Sequence, residues 1–467
     1  MIITLDSLKT RFRNIHIVGA AAIEGAAIAR FLHELGCETV TLHDFCDQKD
    51  FFKRFLTFHN GVENRAELLQ VMRSLPYQSR FAEHYLEGIG EADMIFLPQA
   101  WYKYQFNYPV LADIVAAGQV RTANMMDLYL NLFPGKIIGV TGTHGKTTVT
   151  RLLAHCLQTV FPQVFLSGNE RHSDQILTKL AHPETITSDS ILILEISNRH
   201  LKQHYERSPN IAIITNIYPN HLDEHASLAE YRETKQKIAQ HQKRGDLLVV
   251  GAGDPELEHW AKEHQGLIVD NAADQALLAR TELPVTLPGQ HNVRNAALVW
   301  AVLQSLGVSE QRFYTALGSF PGVEKRLQRV YQNDRVSFIN DLASTTPQAT
   351  LQAVLAFADH PLIVILGGDD KDIPVAEWQE LARSLEGKVV ILLPGTVRQR
   401  LPLANLHYAE SENWLSALAL VATLVAQQWS ETKKATVVIL SPAGEAFYTK
   451  FLTGVSLQKD LEKYLGE

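Results

Sequence analysis

The stretch that decides the fold of this 467-residue chain is Ile137-Ile-Gly-Val-Thr-Gly142-Thr-His-Gly-Lys146-Thr-Thr148. It joins an apolar run, 136–140, to a helical pattern that begins at Val149. A strand that stops at such a glycine-rich turn directs several backbone N–H groups into one small volume at the positive end of the next helix. Phosphates bind there, with the lysine reaching the β and γ oxygens and a hydroxyl holding Mg²⁺. The stretch therefore predicts a phosphate-binding loop, although Val140 takes the place of the first glycine of the common pattern.

The composition is that of a soluble globular protein, with 46% hydrophobic and 20% charged residues. The net charge of −8 argues against a nucleic-acid partner, which needs concentrated Lys and Arg. The cysteines Cys37, Cys46 and Cys156 form no CxxC pair, so we expect reduced thiols in a cytoplasmic protein. No apolar run approaches the roughly 18 residues of a membrane span, so no membrane partner is expected.

Alternating strands and helices predict an α/β protein of three domains, each a mostly parallel sheet covered by helices. We expect a Rossmann-like domain at 1–133, a P-loop ATPase-like domain at 134–322 and a second Rossmann-like domain at 323–467. The predicted strands are 14–18, 38–42, 136–140, 163–166, 190–194, 211–215, 246–250, 336–339, 362–366, 389–393 and 436–440. Helices are predicted at 26–35, 375–385 and 414–429, and residues 47–92 have helical spacing. The junctions near Phe133 and Gly322 would permit hinge closure.

The first domain carries a nucleotide-binding arrangement, in which a turn from Gly19 follows the first strand and Asp44 ends the second. Ala21 and Glu24 replace the second and third glycines of the GxGxxG pattern. A dinucleotide pyrophosphate needs close backbone approach at those positions, so NAD is disfavoured and another nucleotide is preferred. Gly19 and Asp44 are the candidate contacts to it.

Polar residues follow the strands of the second domain. Glu195 ends an apolar strand, where a carboxylate suits an Mg²⁺ ligand. His221 and His225 are four residues apart, which suggests zinc, but Pro219 precedes them and no HExxH pattern is present. A polar loop facing the phosphates is therefore preferred. The residues alone place Lys235 on a solvated helix face and make the segment 291–295 a helix N-cap.

Several motifs occur in a characteristic order along the chain. They are Gly142–Thr148, Glu195-Ile-Ser197, Thr215-Asn-Ile217, His221-Leu-Asp223, Tyr231 with Lys235, His291–Asn295, Phe320–Arg326, Asn340-Asp341, Gly367–Lys371 and Leu440–Ala443. This order resembles that of the Mur ligase family, most of all the branch that joins D-glutamate to UDP-N-acetylmuramoyl-L-alanine in peptidoglycan precursor synthesis. The resemblance is specific in the second and third domains and loose in the first.

The resemblance implies ATP-dependent amide-bond synthesis, in which ATP phosphorylates the donor carboxylate and the amine of an amino acid attacks the acyl phosphate. ATP and two Mg²⁺ ions would be the cofactors. A UDP-sugar donor and a free amino acid would be the partners, and the protein would be a monomer. Phosphoryl transfer depends on positioning and charge neutralisation, so no protein nucleophile is required.

The resemblance also assigns roles to individual residues. The implied ATP contacts are Gly142, Thr143, His144, Gly145, Lys146, Thr147, Thr148, Asn292, Asn295, Arg326 and Asp341. The implied metal ligands are Thr147, Glu195, His221 and Lys235, with Lys235 carbamylated by CO₂, and the catalytic assignments are Lys146, His221 and Lys235. The implied substrate contacts are Asn169, Thr345, Lys371 and Ser441, beside Gly19 and Asp44.

The departures from the family lie mainly on the amino-acid side. Ala343 stands where the branch has a lysine, and Glu445 brings an acid where the carboxylates of glutamate would bind. A buried acid beside an anion is costly unless it is paired or protonated. In the first domain, the segment Leu97–Lys103 stands where the family usually has Ser-Pro-Gly. The alternatives are therefore a ligase for another amino acid, such as L-glutamate, or another donor, and a catalytically silent nucleotide-binding protein. A P-loop motor or switch is the least supported.

Overall fold

The computed structural model describes residues 2–62, 64–104, 109–169, 175–220, 224–445 and 454–466. Their strands form three sheets, of five, six and six strands, which are mostly parallel and covered by helices. The predicted α/β fold class is confirmed. Among these residues, no helix has both the length and the apolar character needed to cross a bilayer.

The first sheet consists of β1 (Ile15–Val18), β2 (Val40–Asp44), β3 (Gln78–Phe81), β4 (Met94–Phe96) and β5 (Arg121–Ala123). Its helices are α1 (Leu5–Thr10), α2 (Ile23–Glu34), α3 (Phe51–Phe58), α4 (Arg65–Ser74), α5 (Trp101–Tyr104), α6 (Pro109–Ala117) and α7 (Met125–Leu132). All neighbours pair in parallel, in the order β3-β2-β1-β4-β5. The strand order reverses between β1 and β4, and ligands bind at such switch points in open α/β sheets.

The second sheet consists of β6 (Lys136–Thr141), β7 (Val164–Gly168), β8 (Ile191–Glu195), β9 (Ile211–Ile214), β10 (Leu247–Gly251) and β11 (Leu267–Val269). The helices along this part of the chain are α8 (Lys146–Leu157), α9 (Leu177–Leu180), α10 (Asn198–Leu201), α11 (Leu228–Gln236), α12 (Pro255–Glu263), α13 (Asn271–Leu278), α14 (Gln290–Ser305) and α15 (Glu310–Gly318), of which the last three belong to the second compact unit described below. The order is β11-β10-β9-β6-β8-β7, and β6 pairs in parallel with both β8 and β9. The carboxyl ends of these three strands therefore lie at one edge of the sheet.

The third sheet consists of β12 (Gln328–Gln332), β13 (Val336–Asn340), β14 (Leu362–Gly367), β15 (Val389–Leu392), β16 (His407–Glu410) and β17 (Thr436–Ala443). Its helices are α16 (Pro347–Ala356), α17 (Val375–Leu385), α18 (Val397–Arg400), α19 (Trp414–Thr432) and α20 (Gly454–Leu465). In the order β12-β13-β17-β14-β15-β16, β12 is antiparallel to β13. Alternate residues of β14 pack in two different hydrophobic clusters. Val364 belongs to one cluster and Ile365 belongs to the other. Burial on both faces explains why this strand is apolar throughout.

The chain divides into two compact units. The first runs to Gly142 and includes Val149–Thr215 and Arg232–Ile268, and the second comprises Thr143–Thr148, Asn216–Tyr231 and the chain from Val269 onward. The first sheet lies in the first unit and the third sheet in the second. The domain boundaries at 1–133, 134–322 and 323–467 stay predictions.

Every predicted strand is present, with small shifts at its ends, whereas β3, β4, β5, β11, β12 and β16 were not predicted. Strands β4, β5 and β11 have only 3 residues each. Strands β3, β12 and β16 are largely exposed or half-buried, so these three lack an apolar run. The helical interpretation of 47–92 holds for α3 and α4 but is wrong for β3, whereas β4 lies beyond that range.

Candidate active site

The glycine at the end of β6 is required by close packing. Gly142 has a φ of 142°, and a Cβ there would lie 1.9 Å from Thr215 Oγ1, at the end of β9. The Lys235 ammonium donates to the Gly142 carbonyl oxygen at 3.0 Å, and Lys235 is only 1% exposed. The solvated-face interpretation of Lys235 is therefore wrong, because the fold buries this amine where the phosphate loop begins.

Within the second unit, Asn216 and Tyr218 brace the first residues of the loop. The backbone N–H groups of Thr143 and His144 donate to the Asn216 carbonyl and Oδ1, each at 2.9 Å. Asn216 Nδ2 donates back to the His144 carbonyl at 3.2 Å. Thr143 Oγ1 accepts from the Tyr218 N–H at 3.0 Å. Sequence reasoning listed the Thr-Asn-Ile motif but missed this role, which its place after β9 could have suggested.

The cationic side chains assigned to ATP lie along the same loop. Lys146 Nζ donates to the Thr143 carbonyl at 3.0 Å, and Arg326 Nη2 donates to Thr147 Oγ1 at 3.0 Å. A guanidinium carries five donors, so Arg326 can hold this hydroxyl and still meet a phosphate. The structure thus brings together a lysine, an arginine and a hydroxyl that were predicted from separate motifs.

Asn295 packs against the loop glycine Gly145, which has a φ of 82° and whose added Cβ would lie 2.4 Å from Asn295 Oδ1. Asn295 Nδ2 donates to Asn292 Oδ1 at 2.9 Å, and Asn292 Nδ2 donates to the Pro288 carbonyl at 2.7 Å. The N-cap of α14 is Gly289, without a side-chain cap. The N-cap interpretation of the 291–295 motif is therefore wrong, since both asparagines lie inside the helix and are buried.

The carboxylate predicted to bind metal adjoins a residue predicted to bind substrate. Glu195 is 3% exposed, and its Oε1 accepts from Asn169 Nδ2 at 2.8 Å. The preceding Gly168 has a φ of 95°, and a Cβ there would lie 2.4 Å from the Glu195 carbonyl oxygen. Two close loops therefore present these polar groups at the carboxyl ends of β7 and β8.

The oxygen ligands available among these residues fit Mg²⁺, which prefers carboxylate and hydroxyl oxygens and keeps several waters or substrate oxygens as further ligands. The Glu195 carboxylate has lone pairs beyond the one that Asn169 occupies. In the part of the chain that the structure describes, no group of three His, Cys, Asp or Glu side chains is placed to hold a metal. His221 lies outside the described residues. Lys235 is a donor as an ammonium and cannot bind a metal in that form, and its carbamylation stays a prediction.

Asp341 and Ser441 form a buried pair between the loop after β13 and strand β17. Asp341 accepts from the Leu327 N–H at 3.1 Å and from the Ser441 hydroxyl at 2.8 Å. Burial raises the pKa of Asp341 to about 6, against the lowering effect of these hydrogen bonds. Thr350 lies 2.8 Å from the Ser441 hydroxyl, which has no exposed surface. Their assignments to the ribose and the amino acid stay predictions.

On the amino-acid side, Lys371 Nζ donates to Thr345 Oγ1 at 3.2 Å, so two predicted contacts lie together. The backbone of Glu445 pairs with that of Asp369 through hydrogen bonds of 2.9 and 2.7 Å, and the Glu445 side chain is exposed. The expectation that Glu445 is a buried acid is therefore wrong. Ala343 is held by its N–H, which donates to the Lys325 carbonyl at 3.0 Å.

The turn after β1 meets the loop after β4 at the switch point of the first sheet. Gly19 has a φ of 71°, and a Cβ there would lie 3.2 Å from Pro98 Cγ. Asp44 Oδ2 accepts from the Ala21 N–H at 3.0 Å, so this buried carboxylate braces the turn. The roles of Gly19 and Asp44 in donor binding stay predictions.

The parallel sheets and the braced glycine-rich loop define an α/β protein built to bind phosphate groups. The Mur ligase middle domain matches residues 140–303. A UDP-N-acetylmuramoylalanine--D-glutamate ligase of Roseiflexus sp. (strain RS-1) is 32% identical over 413 residues, 81% of this chain and 82% of the relative. A ligase of the same name from Symbiobacterium thermophilum is 30% identical over 389 residues, 78% of this chain and 82% of the relative.

Among solved structures, the MurF ligase of Thermotoga maritima in complex with ADP covers 99% of this chain and 98% of its own. Its TM-score is 0.57 at 15% identity, which supports the fold. The chain belongs to the Mur ligase family. It is an ATP-dependent ligase of that family, which adds an amino acid in peptidoglycan synthesis.

Proposed function

We propose that this ligase joins glutamate, with D-glutamate the preferred acceptor, to UDP-N-acetylmuramoyl-L-alanine through an acyl phosphate. The observation that carries the proposal is the name shared by relatives at 32% and 30% identity, each matched over 82% of its own length. The loop at the end of β6 supports the ATP half of the reaction, because its residues are those that phosphoryl transfer requires.

In this proposal, residues of the second unit bind the phosphates of ATP. The ammonium of Lys146 neutralises the β and γ oxygens, and backbone N–H groups of the loop donate to them. Arg326, whose Nη2 lies 3.0 Å from Thr147 Oγ1, adds a second cation beside the same hydroxyl. Asn292 and Asn295 flank the adenine, and Asp341 binds the ribose.

Thr147, Glu195 and His221 would hold two Mg²⁺ ions, which supply charge neutralisation at the transferred phosphoryl group. We propose that Lys235 reacts with CO₂ as the neutral amine, forming a carbamate N–C bond and releasing one proton. Its burial against the carbonyl of Gly142, the glycine that ends the strand before the loop, supports this proposal. With ¹³C-bicarbonate, the protein should show a carbamate carbon resonance that Lys235→Arg lacks, and a resonance retained in that variant would assign it elsewhere.

The chemistry proceeds in two balanced steps. An oxygen of the donor carboxylate forms a bond to the γ-phosphorus as the bond to ADP breaks. The amine nitrogen then bonds to the acyl carbon, its proton passes to solvent, and phosphate leaves. The protein contributes alignment and charge. Asn169, with Gly19 and Asp44, would bind the donor, whereas Thr345, Lys371 and Ser441 would bind the amino acid.

The test is ATP-dependent phosphate release with UDP-N-acetylmuramoyl-L-alanine and one amino acid at a time: D-glutamate, L-glutamate and a panel of others. Release with D-glutamate alone supports the proposal. Lys146→Ala is the matched control, because it removes the phosphate-binding cation and should abolish release with every acceptor. If the wild-type protein releases no phosphate with any acceptor, the proposed donor is refuted.

A second candidate is a Mur ligase for another acceptor, such as L-glutamate. Ala343 and Glu445 favour it, since both depart from the branch pattern on the amino-acid side. Release with another amino acid and none with D-glutamate would select this candidate. No release with any donor and any amino acid would favour a catalytically silent nucleotide-binding protein. The predictions that the protein is cytoplasmic and monomeric remain, and light scattering would measure its oligomeric state.

A further inference from the structure

A chain of polar side chains in the first unit links the switch point of the first sheet to Glu195. Gln99, in the loop after β4, donates through Nε2 to Asn169 Oδ1 at 3.1 Å. Asn169 Nδ2 in turn donates to Glu195 Oε1 at 2.8 Å. The side-chain amides of Gln99 and Asn169 each donate through nitrogen to one neighbour and accept through oxygen from another. The direction of hydrogen bonding is therefore set along the whole chain, ending on the carboxylate.

The other atoms of Gln99 are also held. Its Oε1 accepts from the Ser197 hydroxyl at 2.7 Å, and its backbone N–H donates to Glu24 Oε2 at 2.8 Å. Glu24 Oε1 lies 3.0 Å from His200 Nε2, and both side chains are buried. Burial acts to raise the pKa of Glu24, but His200 and the bonds from Gln99 outweigh it and lower the pKa.

We propose that Gln99 is a positioning residue for Glu195, acting through Asn169. The proposal rests on the proposed function, in which Glu195 binds Mg²⁺. If Gln99 loses its amide, the Asn169 side chain is no longer held and can turn its Oδ1 toward Glu195. An oxygen facing the carboxylate would repel it and move it from the metal. Partners in this outer position typically change metal affinity by 10- to 100-fold.

The alternative is that the hydrogen bonds of Gln99 only stabilise the packing of the first sheet against the second. Tyr102 offers a matched control for that role. Its hydroxyl, on helix α5 just after Gln99, donates to Gln203 Oε1 in the same unit. Among the residues that the structure describes, the side chain of Gln203 donates on to Thr122 and not to Asn169 or Glu195. Tyr102→Phe therefore removes a comparable hydrogen bond between the two sheets and keeps the bonds from Gln99 through Asn169 to Glu195.

The test uses full-length protein with a non-hydrolysable ATP analogue and Mn²⁺ as the probe, and measures Mn²⁺ affinity by electron paramagnetic resonance. Glu195→Gln gives the reference loss. Gln99→Met should weaken Mn²⁺ binding about tenfold, whereas Tyr102→Phe should bind it like the wild type. Thermal melting verifies folding. If Gln99→Met does not fold, Gln99→Asn serves, because it keeps an amide that is one methylene too short for both partners.

If Glu195→Gln weakens Mn²⁺ binding but neither Gln99 variant does, the positioning role is overturned and the metal assignment stands. Equal weakening by Tyr102→Phe would also overturn it, since a tie between sheets would then explain the effect. Unchanged binding in Glu195→Gln would overturn the metal assignment and the positioning role together.

Discussion

Gly142→Ala should weaken nucleotide binding by at least about thirtyfold. The alanine would have to adopt a φ of 142°, and its Cβ would lie 1.9 Å from Thr215 Oγ1, whereas ordinary contact begins at 3.4 Å. Backbone strain of this kind costs about 1–3 kcal/mol. Overpacking costs about another 1–3 kcal/mol. The lower sum, about 2 kcal/mol, corresponds to about thirtyfold in affinity if the loop relieves the strain by leaving its binding conformation.

The assay is calorimetric titration with ADP of the wild type, Gly142→Ala, Thr215→Ala and the double variant. Removing the Thr215 hydroxyl removes the closest contact but leaves the strained φ and the contacts with Thr215 Cβ and N at 3.1 Å, so the double variant should recover part of the affinity. Gly36→Ala is the matched control, because Gly36 also has a positive φ, 83°, and an added Cβ meets nothing within 4 Å. It should lose stability and bind ADP normally. Binding by Gly142→Ala within about threefold of the wild type would refute the reasoning.

Other changes have equally specific outcomes. Lys146→Ala should lower ATP turnover by about 10³-fold at an unchanged melting temperature, and unaltered turnover would refute the loop assignment. Arg326→Lys, which keeps the charge but loses the fork beside Thr147, should lower kcat by about 10²-fold, and wild-type kcat would contradict this role. Burial lowers the pKa of His16 to about 4 and that of His43 to about 3, and their ring nitrogens lie 2.8 Å apart. The unfolded rings take up protons below about pH 6.5 while the folded rings stay neutral. The free energy of unfolding should therefore fall by about 1.4 kcal/mol per ring and pH unit down to the folded pKa. A histidine NMR titration checks this, and rings that titrate near 6.5 would contradict it.

The strands that the sequence predicts are those with an apolar run. β8 is buried at every position, and such a run is recognisable without knowledge of its neighbours. β12 and β16 lie at the edges of the third sheet, with half-buried and exposed residues. Pairing with β13 and β15 defines them as strands, and a strand that is not buried on a whole face leaves no apolar run as a local signal.

Individual site residues show the same limit. Residue patterns place Lys235 on a solvated helix face, and only the family resemblance promotes it, whereas the fold buries it against the Gly142 carbonyl. Glu445 is expected to be a buried acid, but pairing of its backbone with Asp369 leaves the side chain exposed. In both cases the environment comes from a segment far away in the chain.

By itself, the sequence determined the α/β class and the strand, glycine-rich loop and helix at 136–157, because periodicity, glycines and a lysine at fixed spacing are local signals. Only the tertiary structure decided which polar groups meet. Gln99, Asn169 and Glu195 lie at or just beyond the ends of three different strands, and their amides and carboxylate come within hydrogen-bonding distance only where those strand ends assemble. Arg326 likewise reaches Thr147 across 179 residues of chain. Such contacts depend on sheet order and side-chain direction, which no local pattern encodes.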